Sequence, residues 1–291
     1  MALETAGELR TISGLRLGRF WNGRRRAAAV FAVTATVLIV VAVVGAFMPP
    51  SWYAVDFNLR SQPPSAAHLF GTDWLGRDMA FRTLSGLSTS IGIGLFAALI
   101  SSAIAIVLGT LAATLGGWMD RAVLWLVDLF QGMPHLVFMI FVAILMGRGA
   151  TGIMWGVALT HWVSLARVVR AETLHLAEAP YIRASRGLGR SPWWIATRHY
   201  MPHIVPPAVT ATVLMFPHAI LHEAALTFLG FGMPHEDPSI GVILSEAMRY
   251  LTRGAWWLAI FPGLALLAVV VIFDRCGRAL ARLISPASAH V

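Results

Sequence analysis

Residues 181–203 read YIRASRGLGRSPWWIATRHYMPH, a polar stretch inside a chain that is otherwise membrane-like. It is the heart of a longer segment, Arg167 to His203, that carries Arg167, Arg170, Arg183, Arg186, Arg190 and Arg198 between apolar runs. The run from Tyr181 forms a short helical piece, Gly187 and Gly189 break it, and Ser191 followed by Pro192 has the chemistry of an N-cap and a first helical position. The segment therefore reads as a helix, a hinge and a second helix lying outside the bilayer, where a water-soluble partner would dock. An ordinary charged loop is the bland alternative, because arginines beside membrane spans often do no more than satisfy topology.

Working outward, the 291 residues are 57% hydrophobic and only 12% charged, about half the charged fraction of roughly 25% usual in soluble domains. The chain belongs in a lipid bilayer. All 22 basic residues are arginine, so neither a P-loop, which needs its lysine, nor a lysine Schiff base exists here. If ATP is used, other chains bind it. The single cysteine, Cys276, has no internal disulfide partner and reads as a structural bystander. The +8 charge does not mark a nucleic-acid binder, because the arginines are spread over loops and not gathered on one module.

A spanning helix needs about 20 apolar residues, and six stretches qualify: Ala27 to Met48, Ser88 to Leu115, Ala122 to Met146, Ala150 to Leu165, Ile204 to Leu221 and Ala255 to Phe273. The first follows a basic tail, 1–26, without a small-residue cleavage pattern, so a retained span is expected. Six spans put both termini on one side. Sixteen arginines fall on that side against six on the other, which makes the terminal side cytoplasmic by the positive-inside rule. The 49–87 and 222–254 segments then face outward, and 167–203 and the tail 286–291 face the cytoplasm.

Three features inside this frame attract chemistry. The second span carries Ala97, Ser101, Ala105, Gly109 and Ala113 at steps of four, which lets helix backbones approach closely in lipid; packing within the chain is favoured over lining a pathway. In GTDWLGRD, Gly71 and Gly76 permit tight turns while Asp73, Arg77 and Asp78 are placed to bond one another or cap a helix. Its plain reading is an outer structural motif and not a ligand site. The histidines His135, His161, His218 and His222 lie in or near spans, where ionisable groups are costly and commonly line a pathway. His218 and His222 share one helix face, with Met215 one turn earlier and Pro217 able to kink the helix. Imidazole and thioether suit nickel or copper, so His218 and His222 are candidate transient metal contacts. Hydrogen bonding across helices is the alternative, two histidines being too few for a stable site. Glu223 reads as a cap on the outer end of the fifth span, with electrostatic closing of the pathway as the alternative, and Met233 to Ser239 reads as a solvated outer loop, with docking of a delivery protein at His235, Glu236 and Asp237 as the alternative.

Taken in order, GTDWLGRD, Gly116 to Asp120, Asp128 to Pro134, YIRASRGLG, Phe228 to Gly232, Trp256-Trp257 and Phe261 to Gly263 resemble the permease subunits of the dipeptide, oligopeptide and nickel importers driven by ATP-binding cassettes, over nearly the whole chain. The resemblance implies an all-α, six-span transmembrane domain of the type I importer class over 27–285. It also implies no catalysis by this chain, no cofactor bound to it, and ATP with magnesium on partner subunits. A homologous second permease, two ATP-binding subunits and an extracytoplasmic solute-binding protein are the implied partners, in a bacterial cytoplasmic membrane.

In that family the loop is a coupling helix seated on the ATPase, which would place it at about Ala179 to Ser191 and give coupling roles to Tyr181, Ala184, Ser185, Arg186, Gly187 and Gly189. Nickel-type members carry histidines matching His161, His218 and His222, so nickel or a metal chelate stands slightly ahead of a peptide as cargo. Departures are Pro180 where an acid usually precedes the tyrosine, with Glu178 two positions further back, Met201-Pro202-His203 in place of Leu-Pro-Asn, and no acidic pair in Phe273 to Pro286. Two other classes make demands that this sequence can be compared with. An ion-coupled secondary transporter needs intramembrane acids, which here sit at span ends, and a haem enzyme needs facing axial histidines.

Overall fold

The structure, a computed structural model, describes residues 23–284, and nearly all of them are helical or in connecting turns. Most of the 1–26 tail, with Arg10, Arg16 and Arg19, and the whole 286–291 tail lie outside the described residues. In chain order the helices are α1 (Gly23–Ala46), α2 (Met79–Leu115), α3 (Gly117–Gly132), α4 (His135–Leu145), α5 (Ala150–Ala158), α6 (Trp162–Ala177), α7 (Pro180–Gly187), α8 (Pro192–Ile195), α9 (Met201–Phe228), α10 (Ile240–Leu251) and α11 (Trp257–Ile284).

Five of the expected six spans are continuous and apolar enough to cross a bilayer: α1, α2, α5 with α6, the composite Pro192–Phe228 and α11. The third is not one helix. The stretch read as Ala122 to Met146 is split into α3 and α4, bent by 102°, because Pro134 lacks an N–H and forces Met133 into an extended conformation. The other spans outrun their apolar cores. α2 begins at Met79, nine residues before the expected start, because Asp78 caps it by accepting from Ala80 N and Phe81 N. The Arg167 to His203 segment is mostly the polar ends of two spanning helices, leaving only 178–191 between them, and α11 runs eleven residues past Phe273. The expected outer 222–254 segment contains the last turns of α9 and a separate amphipathic helix, α10.

Three apolar clusters share α2 and α9. One joins α1, α10 and α11 through Phe216, Ile220, Ile243 and Leu258. A second joins α6 and α7 through Trp162, Ile182, Tyr200 and Ile204, and a third joins α4 and α5 through Met139, Ile153 and Leu226. The small-residue stripe on α2 lies at the centre. Ala97, Ser101, Ala105 and Gly109 are buried and Ala113 half-buried, Ser101 donates to Ala158 O at 2.5 Å, and a Cβ on Gly109 would stand 2.6 Å from Ala166 O. The stripe is therefore a helix-packing surface. Cys276 is buried in the first cluster as a free thiol.

GTDWLGRD closes the end of the bundle at which α2 begins. Asp73, fully buried, accepts from Leu75 N at 2.8 Å, Arg77 N at 3.0 Å and Arg77 Nε at 2.6 Å. Arg82 also reaches Asp73, at 3.3 Å, and Glu246 on α10 stands 2.6 Å from Arg82 and 3.3 Å from Arg77. His235, in the exposed loop before α10, is 3.5 Å from the same Glu246. Asp78 also bonds His68 at 2.7 Å. Gly76 has φ +78°, and a Cβ there would fall 1.7 Å from Asp56 O. The motif thus serves as both turn and cap, and its charged contacts extend to three residues outside it, His68, Arg82 and Glu246.

Candidate functional site

The polar loop is built as its punctuation implies. α7 opens with Pro180 at its first position and anchors itself through Ile182, which is fully buried. Gly189 takes φ +77°, a left-handed conformation that costs glycine little, and Ser191 Oγ accepts from Trp194 N at 3.2 Å to cap the next helix. The loop is tied back to the bundle. Arg186 donates to Tyr200 Oη at 3.0 Å, and Ser185 Oγ lies 3.1 Å from His199 Nε2. Between Ala196 and Tyr200 the helix widens to a π turn, Met201 N bonding Ala196 O five residues back, directly before Pro202, which has no N–H to give. Tyr181 is exposed, and Leu188 (82%) and Trp193 (70%) even more so, so this end offers apolar side chains to something beyond the chain.

Three histidines from three different elements converge, His135 exposed and His161 and His222 half-buried. His135 opens α4 immediately after the Pro134 break, His161 sits at the junction of α5 and α6, and His222 projects from α9. Their ring centroids are 4.9, 5.1 and 5.0 Å apart, each pair tilted by 65–71°, and one ligand atom from each lies within 4.8 Å of the others. His161 Nδ1 is 2.9 Å from Val157 O. A carbonyl can only accept, so Nδ1 carries the proton and Nε2 presents its lone pair. That Nε2 is buried with no partner. A backbone carbonyl fixing one ring nitrogen while the other faces a cluster is the support that metal-binding histidines receive.

The three rings border a cavity of about 500 Å³ that Phe130, Gln131, Met133 and Ser164 also line. His218 lines it too, but stands outside the group of three. Helical spacing made His218 the expected companion of His222, and both line this cavity; the fold brings His135 and His161 to it from other elements, and these two with His222 form the tighter group. Met215 packs against the cluster around Trp162 and Ile204 and is absent from the cavity wall, whereas Met133, in the family-like stretch Asp128 to Pro134, is on it. Glu223 does not cap the outer end of its span, because α9 continues to Phe228; it is fully buried and accepts from Thr227 Oγ1 at 3.2 Å.

Residues 105–286 match the family described as binding-protein-dependent transport system inner membrane component. The chain belongs to that family. Relatives agree over most of their length. The dipeptide transport system permease protein of Bacillus subtilis is 32% identical, over 86% of this chain and 78% of its own. The oligopeptide transport system permease protein of Mycobacterium tuberculosis is 33% identical, over 91% and 92%, and the glutathione transport system permease protein of Pectobacterium atrosepticum 34%, over 79% and 76%. Among solved structures, a chain of the inward-facing methionine importer MetNI shares the fold, with a TM-score of 0.58 at 19% identity, covering 71% of this chain and 98% of that one. This permease is thus a transmembrane subunit of an ABC importer, with the type I fold, and a transporter component and not an enzyme. Membership decides against the ion-coupled transporter and the haem enzyme.

Proposed function

We propose that this permease forms one half of an import pathway for nickel or a small metal chelate, with di- and oligopeptides as the second reading. The cluster of His135, His161 and His222 carries the metal reading. Three neutral imidazoles suit nickel, copper or zinc, and three protein ligands leave positions open for a solute's own donors. Binding has to stay weak, since a solute held too tightly is not released. The relatives' names, dipeptide, oligopeptide and glutathione, support the peptide reading. A chelate whose donors are amide or carboxylate groups is compatible with both.

In this reading a homologous second permease completes the pathway, a solute-binding protein delivers cargo from outside, and two ATP-binding subunits hold ATP and magnesium. Both termini lie in the cytoplasm of a bacterial inner membrane, which the excess of arginine on that side supports. Coupling runs through α7, with exposed Tyr181 and Leu188 meeting the ATPase while Arg186 and Ser185 transmit its movement to Tyr200 and His199 on the spanning helix. The π turn beside those contacts is a natural place for the helix to yield.

Uptake of radioactive nickel, with and without chelators or competing dipeptides, tests the cargo in cells carrying the complete neighbouring subunits and in cells lacking only this chain. Nickel uptake that needs this chain, resists dipeptides and falls roughly tenfold or more in His161→Gln establishes a metal importer. Loss of dipeptide uptake alone makes it a peptide permease and the histidines structural. The coupling assignment has its own test. A Cβ added at Gly189 meets no neighbour within 4 Å, so the effect of Gly189→Val is expected from backbone strain of about 1–3 kcal/mol. In proteoliposomes the variant is expected to hydrolyse ATP while transport falls roughly tenfold, with Gly189→Asn, which tolerates left-handed geometry, close to wild type. Full transport by the valine variant would remove α7 from the coupling path.

A further inference from the structure

A second cavity, of about 570 Å³, lies between the turn joining α4 to α5, the end of α9 and helix α10. Arg148, Thr227, His235, Ser245 and Arg249 are on its wall, and no carboxylate is among its lining residues. Arg148 and Arg249 are exposed, and neither has a hydrogen-bond, ion-pair or ring partner among the described residues. His235 differs, standing 3.5 Å from Glu246, which Arg77 and Arg82 also contact. Glu236 and Asp237 follow His235 in the loop but do not line the cavity. Topology does not account for the two arginines. They are on the side that carries six of the chain's arginines against sixteen, where the positive-inside rule asks for none.

The cavity shares its elements with the histidine cavity. On α4, His135 is the first residue and Arg148 lies just past the last, so 11 helical residues, about 16 Å, separate them. Gly149 leads into α5 and His161 follows it. On α9, Phe228 on the wall of the first cavity is about 9 Å beyond His222 on the wall of the other, at 1.5 Å per residue. Between these points the same three helices carry Met139, Ile153, Val157 and Leu226, buried together in one apolar cluster. The two cavities are thus stacked along one set of helices with an apolar layer between them.

Size and charge identify the occupant. A volume of this order is that of a small-molecule site, roughly 300–1,000 Å³. Two guanidinium groups without partners attract a carboxylate, whose two oxygens match the N–H fork, and they repel a bare metal dication. A cleft lined by one sign of charge also concentrates solutes of the other sign.

We propose, resting on the reading of the histidine cavity as the solute pathway, that Arg148 and Arg249 receive the carboxylate of the solute on its way to the histidines. The cargo is then a carboxylate-bearing chelate or peptide and not a bare metal ion.

The test uses cells carrying this chain with its complete neighbouring subunits, and two pairs of probes that differ in charge. Radioactive nickel with excess citrate is set against radioactive nickel chloride, and labelled dialanine against its C-terminal amide. The ratio of initial uptake rates within each pair is read in wild type, in Arg148→Gln with Arg249→Gln, and in Arg148→Lys with Arg249→Lys. Selection by a solute-binding protein is common to all of these and cancels. Wild type should favour the carboxylate-bearing probe, the glutamine pair should lower the ratio about tenfold, and the lysine pair, which keeps the charge, should hold most of it. A folding defect lowers both probes together and leaves the ratio alone. An unchanged ratio in the glutamine pair overturns the proposal, and uptake that still falls in His161→Gln leaves the pathway reading standing. Equal uptake of both members of each pair by wild type overturns it too. So does loss of another subunit from the purified glutamine variant, which would assign the arginines to a protein interface. If no probe needs this chain for uptake, the pathway reading falls and the proposal with it.

Discussion

Replacing Asp73 by alanine is expected to destabilise the permease by about 3–5 kcal/mol, the range for removing one member of a buried charged network. Asp73 is fully buried and Arg82 nearly so, and between them Asp73 and Glu246 supply the negative charge for Arg77 and Arg82. Alanine leaves two guanidinium groups sharing Glu246. It also strips Leu75 N and Arg77 N of the acceptor that shapes the turn, so the segment before α2 loses its fold together with its anchor on α10. Asp73→Asn keeps that acceptor and removes only the charge, and should fall between wild type and alanine. Thermal unfolding of the purified complex, followed by size-exclusion fluorescence, measures both. An alanine variant within about 1 kcal/mol of wild type would show that the network is structurally idle.

Gly109→Leu should be nearly as damaging, for steric reasons. A Cβ at this position would sit 2.6 Å from Ala166 O and 2.9 Å from two Val169 side-chain atoms. Backbone on the facing helix cannot rotate away, so α2 and α6 must separate. Overpacking of this kind costs about 1–3 kcal/mol and occasionally more, and the displacement reaches His161, which opens α6. Folded yield should drop sharply. Ser101→Ala on the same stripe is the contrast. It loses one hydrogen bond to Ala158 O, and interhelical bonds in membranes average only about 0.6 kcal/mol, so its yield should be close to wild type. If Gly109→Leu assembles normally, the close approach of α2 to α6 is wrong.

The two predictions mark where the sequence was readable. Gly109 stood out because its spacing from Ala97, Ser101 and Ala105 is a one-dimensional signal, and burial then follows for any helix in lipid. Gly189, Ser191 and Pro192 were legible for the same reason: turn and cap chemistry is local. Asp73 and Asp78 showed as turn and cap residues, but Glu246 is 173 residues from Asp73 along the chain and no local pattern links them. The break at Pro134 was hidden because the stretch Ala122 to Met146 is apolar on average despite Asp128, Gln131 and His135, and average hydropathy does not register a missing N–H. The true lengths of α2, α9 and α11 were hidden by their polar ends, which extend as helix beyond the hydrocarbon.

Composition, arginine placement and cap chemistry thus determined by themselves that this chain is a helical membrane protein with a punctuated polar loop, because each depends on residues adjacent in sequence or on one helix face. The tertiary structure alone decided which charges meet and which histidines share a site. Helical spacing put His222 with His218, and packing α4, the α5–α6 junction and α9 together brought His135 and His161 to the same cavity. Contacts between helices are fixed by how whole surfaces interlock, and no period in a single sequence encodes that.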